Sequence, residues 1–88
     1  MNIAIYKNVE FRKIMEVLKM IKDKIKSLDI NDLRKIYNHF WKGGDFSRSD
    51  YISHIEAYLT QYINNYTITK NPKYLYKFRI LYRYIKNI

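Results

Sequence analysis

The sequence predicts an all-α fold, a small domain of four helices around a central helix–turn–helix unit. Apolar residues recur every three or four positions through four separate stretches, the spacing that lines one face of a helix. The boundaries between those stretches carry helix punctuation: Gly43-Gly44, Ser47 to Asp50, and Asn71-Pro72. With 88 residues the chain is long enough for a single modest core and too short for two, so it reads as one domain spanning 1–88.

Met1 to Asn8 alternates loosely, with Ile3 and Ile5 on one side. An edge strand, an arm and the frayed start of a helix all fit it. From 9 to 27 the stripe Phe11, Ile14, Leu18, Ile21, Ile25 and Leu28 predicts a core-facing helix. Lys13, Lys19, Lys22, Lys24 and Lys26 line its remainder among Glu10, Glu16 and Asp23, which reads as scaffold. A second helix over 31–42 is capped by Asp29 or Asn31, whose short oxygens accept orphan backbone N–H groups. Leu33, Ile36, Tyr37 and Phe40 make its apolar face, and Gly43-Gly44 ends it, because glycine takes up left-handed backbone without strain. Ser47 and Asp50, three apart, open a third helix over 49–66 as a capping box. Its face is Tyr51, Ile52, Ile55, Tyr58, Leu59, Tyr62 and Ile63, and the asparagines and threonines of 64–71 break the pattern.

Asn71-Pro72 restarts a helix over 72–87, since proline has no N–H to lose at the first helical position. Tyr74, Phe78, Leu81, Tyr82 and Ile85 form the core side of this last helix. On the opposite side Tyr76, Ile80 and Tyr84 make a second apolar line, interleaved with Lys73, Lys77, Arg83 and Lys86. A helix apolar on two faces packs on two sides or presents aromatics to a partner.

The stretch 28–59 resembles the SAP-type helix–extended–helix modules that bind DNA. Leu28 followed five residues later by Leu33-Arg34 fits the family's spacing. Ile52 falls nineteen beyond Leu33, Ile55 and Tyr58 follow at helical steps, and Arg48 holds the basic position four before Ile52. The chain departs from the pattern at the turn: family glycines align with Trp41 and Phe46, whereas its own are Gly43 and Gly44. The resemblance covers about a third of the chain. It implies DNA rather than RNA as the partner, with Arg48 at the contact.

The absence of cysteine excludes disulfides, thiol catalysis and cysteine-based zinc sites. No apolar run reaches membrane-spanning length, and the apolar opening is too short for a signal peptide, so the expectation is an intracellular protein without membrane insertion. Cytoplasm, nucleus and virion are not separated by the sequence. The net charge of +9 points to an anionic partner, although an AT-rich genome, with its abundant Ile, Lys, Asn and Tyr, also produces such a balance. Its distribution says more. No acid follows Glu56, leaving Lys70, Lys73, Lys77, Arg79, Arg83 and Lys86 unopposed. Spaced cations on a helix neutralise successive phosphates, and interleaved tyrosines stack on bases or rest against sugars.

Catalytic chemistry finds no constellation, so the chain reads as a binding protein rather than an enzyme, with no cofactor and no metal. His39 and His54 lack partners at metal or triad spacing, and Asp29 and Asp32 sit at a helix start, where carboxylates suit the dipole. Gly43-Gly44 is not followed by the Lys-Ser/Thr of a phosphate loop. Two functions remain. The first is a nucleic-acid-binding module of low sequence specificity that uses Arg48, Lys42, Lys73, Lys77, Arg79 and Arg83. The second is a protein–protein module (adaptor, inhibitor or immunity-type) docking through Tyr76, Ile80, Tyr84 and Trp41 on a partner or on its own copy as a homodimer. Trp41 alternatively plugs the end of the bundle. Both functions suit the small proteins that viruses and mobile elements encode.

Overall fold

The computed structural model describes residues 2–88, with side chains from Arg12 onward. Four helices follow one another: α1 Asn2–Ser27, α2 Ile30–Phe40, α3 Arg48–Thr69 and α4 Pro72–Lys86. The molecule is elongated, 49 × 22 × 20 Å, because α1 alone has 26 residues. α3 is the central element and packs against each of the other three.

The expected apolar faces become the core. Leu18, Ile21, Ile25 and Leu28 of the first stripe are buried, against Leu33 and Ile36 of α2 and Phe78, Leu81 and Ile85 of α4. Through the middle run Tyr51, Ile55, Leu59 and Ile63 of α3, one residue per turn. No charged side chain is buried among the described residues. Each fully buried aliphatic of this kind contributes about 1.5–3 kcal/mol.

The caps also form. Asp29 accepts the N–H of Asp32 at 2.9 Å, Ser47 that of Asp50 at 3.2 Å, and Asn71 that of Lys73 at 3.1 Å. Between α2 and α3 the chain turns through positive φ at Lys42 (53°), Gly43 (78°) and Gly44 (94°). Gly44 has a second reason to be glycine: a Cβ there would collide with the ring of Phe46. Its carbonyl accepts a hydrogen bond from the buried Tyr51 hydroxyl at 3.1 Å, which ties the turn to α3.

Two helices run longer than their periodicity suggests. α1 begins at Asn2, so residues 2–8, open in sequence between strand, arm and helix, continue the helix; Met1 and the side chain of Phe11 lie outside the described residues. The alternation of Ile3 and Ile5 covers too few residues to oppose a segment without glycine or proline. α3 continues to Thr69 through the polar stretch taken as a break. The Thr67 and Thr69 hydroxyls donate to the carbonyls of Ile63 and Asn65, at 2.9 and 2.7 Å, so these residues satisfy themselves within the helix. Lys70, left-handed at φ 59°, ends it.

Candidate nucleic-acid interface

α4 presents the basic surface. Lys73, Lys77, Arg79, Arg83 and Lys86 are all exposed, and the nearest acid in sequence, Glu56, is on α3. The ion pair among the described residues is Arg34–Asp45, at 3.7 Å, away from this helix. Lys73 and Lys77 are four apart, as are Arg79 and Arg83, and like charges at that spacing repel by a few tenths of a kcal/mol. Arg83 and Lys86 have a local explanation, because cations favour the negative end of a helix dipole. Lys73 and Lys77 do not. Lys73 sits in the first turn, against the dipole, with its ammonium 5.2 Å from the Tyr74 ring centre.

Between these cations lie Tyr76 and Ile80, 65% and 41% exposed. The third member of the expected apolar line, Tyr84, one turn after Ile80, is half-buried. It stacks on His39 at 4.3 Å with an 18° interplanar angle and meets Phe40 edge-on at 5.4 Å. Helical geometry explains the correction: the eight residues from Tyr76 to Tyr84 exceed two turns by enough to swing Tyr84 towards α2.

Arg48 also differs from expectation. Its Nε donates to the Leu28 carbonyl at 3.0 Å and its Nη2 to the Lys26 carbonyl, so the guanidinium caps the C-terminal end of α1. An arginine free for phosphate, removable without effect on folding, does not describe it. Lys24 makes a comparable link, donating to the Lys86 carbonyl at the end of α4 at 2.6 Å. Lys42 remains exposed in the turn.

Trp41 belongs to an aromatic chain that no single periodicity announces. It stacks on Tyr58 of α3 at 4.3 Å with an 18° tilt, and touches Tyr37 at 5.3 Å and Phe40 at 5.6 Å. Tyr37 in turn meets Phe46 at 5.3 Å and Tyr51 at 5.6 Å, edge-on in both cases. Trp41 is half-buried, so it closes the bundle end and still shows part of its ring. The sequence signal for this chain is the run Tyr37, Phe40, Trp41 on one side of α2, facing Tyr58 and Tyr62 four apart on α3.

Where α2 ends against α3 and α4, Phe40, Trp41, Tyr62, Lys77, Ile80 and Leu81 line an open groove of about 170 Å³. Burial, and then the neighbouring Tyr58, raise the Tyr62 hydroxyl above its ordinary pKa of 10.0. His39 and His54 are exposed, and no cluster of three potential metal ligands occurs among the described residues. No helix among them is long and apolar enough to cross a membrane. No family model, no curated protein and no solved structure matches the chain.

Proposed function

We propose that this protein binds nucleic acid, DNA in the first instance, through the phosphate backbone and with low sequence specificity. The observation that carries the reading is the set of exposed α4 cations, with Lys77 on the flank towards α2 and α3, Arg79 on the flank towards α1, and Lys73 and Arg83 also exposed, none of them in an ion pair among the described residues. Fold stability accounts for the cations at the end of α4 and not for Lys73 and Lys77, neither of which has an ion-pair partner among the described residues. An external polyanion relieves that repulsion and releases its counterions. No row of Asn, Gln and Arg along α4 is arranged for base edges, which favours contact with backbone over sequence. The helix–extended–helix unit supports the fold beneath this surface, with Lys42 exposed in its turn and Arg48 as an internal cap. Charge reversal is the test. Lys77→Glu with Arg83→Glu abolishes retardation of a short DNA duplex while leaving the helical spectrum unchanged; retained retardation contradicts the reading.

A second reading has its own observation, the exposure of Tyr76 and Ile80 side by side. It makes α4 a protein-docking face, self-pairing in a homodimer included. With Tyr84 folded onto α2 the patch is narrower than the sequence suggests, and Lys77 and Arg83 would repel across a two-fold axis. The two readings respond oppositely to salt: phosphate binding weakens, an apolar interface holds or tightens.

A further inference from the structure

The groove at the junction of α2, α3 and α4 has a composition that the backbone contacts do not use. It is lined by the aromatic side chains Phe40, Trp41 and Tyr62 and the aliphatic Ile80 and Leu81, and its one charged member is Lys77. An apolar cavity of about 150 Å³ takes a single aromatic ring. At about 170 Å³ this groove is of that size, and it is open, with the exposed Lys77 and Ile80 in its lining. One cation at the rim of an aromatic slot suits a flat ring that carries an anion next to it.

We infer that this groove receives an unpaired base of a single-stranded nucleic acid, with the adjoining phosphate on Lys77. The inference rests on the backbone-binding reading and adds a strand preference to it. In a duplex the bases are paired and stacked inside, so only a splayed or single strand offers a ring to the slot. Stacking on aromatic side chains tolerates any base, which agrees with a surface that lacks base-edge readers. Charge complementarity favours a nucleic acid as the occupant: no acid follows Glu56, and Lys77 at the groove has no ion-pair partner among the described residues.

The test compares three labelled probes of equal length: a thymidine single strand, an abasic strand with the same phosphates, and a duplex. Trp41 is the sole tryptophan, so its emission reports on the groove directly. The thymidine strand binds about tenfold tighter than the abasic strand, the size of one stacked base, and changes Trp41 emission while the abasic strand does not. Ile80→Gln, at an exposed position, brings the thymidine affinity down to that of the abasic strand and leaves abasic binding unchanged. Trp41→Phe is read beside it by anisotropy and retains part of the preference. Equal binding of the thymidine and abasic strands with unchanged emission overturns base entry and leaves backbone binding standing. If none of the probes binds at low salt, both fall. If Ile80→Gln alters the mass seen by light scattering and not the affinities, the face is a protein interface and the inference is wrong.

Discussion

The guanidinium of Arg48 caps the end of α1, its Nε 3.0 Å from the carbonyl oxygen of Leu28, twenty residues earlier in the chain. The last carbonyls of a helix lack intrahelical partners and carry partial negative charge, so a cation there both bonds and neutralises. The same residue opens α3, and one side chain therefore joins the C-terminus of the first helix to the N-terminus of the third. Arg48→Ala is expected to destabilise the fold by about 1–2 kcal/mol, below the upper range for charged hydrogen bonds because the site is exposed. Lys77→Ala, whose side chain bonds nothing, leaves the urea midpoint unchanged. Equal midpoints for the two variants would contradict the cap.

The turn between α2 and α3 distinguishes its two glycines. Gly43→Ala meets only the cost of left-handed backbone, about 1–2 kcal/mol, because nothing surrounds that position. Gly44→Ala adds a collision with Phe46 and is the more damaging of the two. Tyr51→Phe, which removes the hydrogen bond to the Gly44 carbonyl, costs about 0.5–1.5 kcal/mol. Thermal melts of the three variants rank them.

Core and surface isoleucines separate widely. Ile55 is fully buried in the middle of α3 and Ile68 is 79% exposed near its end. Ile55→Ala should lower stability by about 2–5 kcal/mol, whereas Ile68→Ala stays within about 0.5 kcal/mol of wild type. Denaturant unfolding measures both.

Tyr62 links stability to alkaline pH. Burial, with the nearby Tyr58, favours its neutral form in the folded state, so the folded pKa lies above the unfolded value near 10.0. The folded chain holds that proton more tightly. Its contribution is complete below pH 10.0 and is lost as pH rises towards the folded pKa. Tyr62→Phe makes the decline in stability above that pH shallower, as denaturant unfolding at a series of alkaline pH values measures.

Much of the fold was legible because helix periodicity and caps are local properties. Leu18, Ile21 and Ile25, or Tyr51, Ile55 and Leu59, declare a buried face by spacing alone, and Asp29, Ser47 and Asn71 sit where their oxygens can reach an orphan N–H. Other features depend on residues distant in sequence. Arg48 reads as a surface cation until Leu28 and Lys26 are placed beside it, and Tyr84 reads as exposed until His39 arrives from α2. Composition misleads at the end of α3, where Thr67 and Thr69 look like loop residues and bond inside the helix. The basic face of α4 was visible from the missing acids. The groove beneath it was not, because its lining comes from three helices.

The measurement that bears most directly on the account is the salt dependence of affinity for a DNA duplex, compared between wild type and the triple variant Lys77→Ala, Arg79→Ala, Arg83→Ala. These three exposed side chains make no ion pair among the described residues, and each phosphate contact contributes about 0.9 to the log–log slope. Backbone binding through α4 predicts a wild-type slope that flattens by about 2–3 units in the variant, with the fold intact. An unchanged slope, or no binding at low salt, contradicts it.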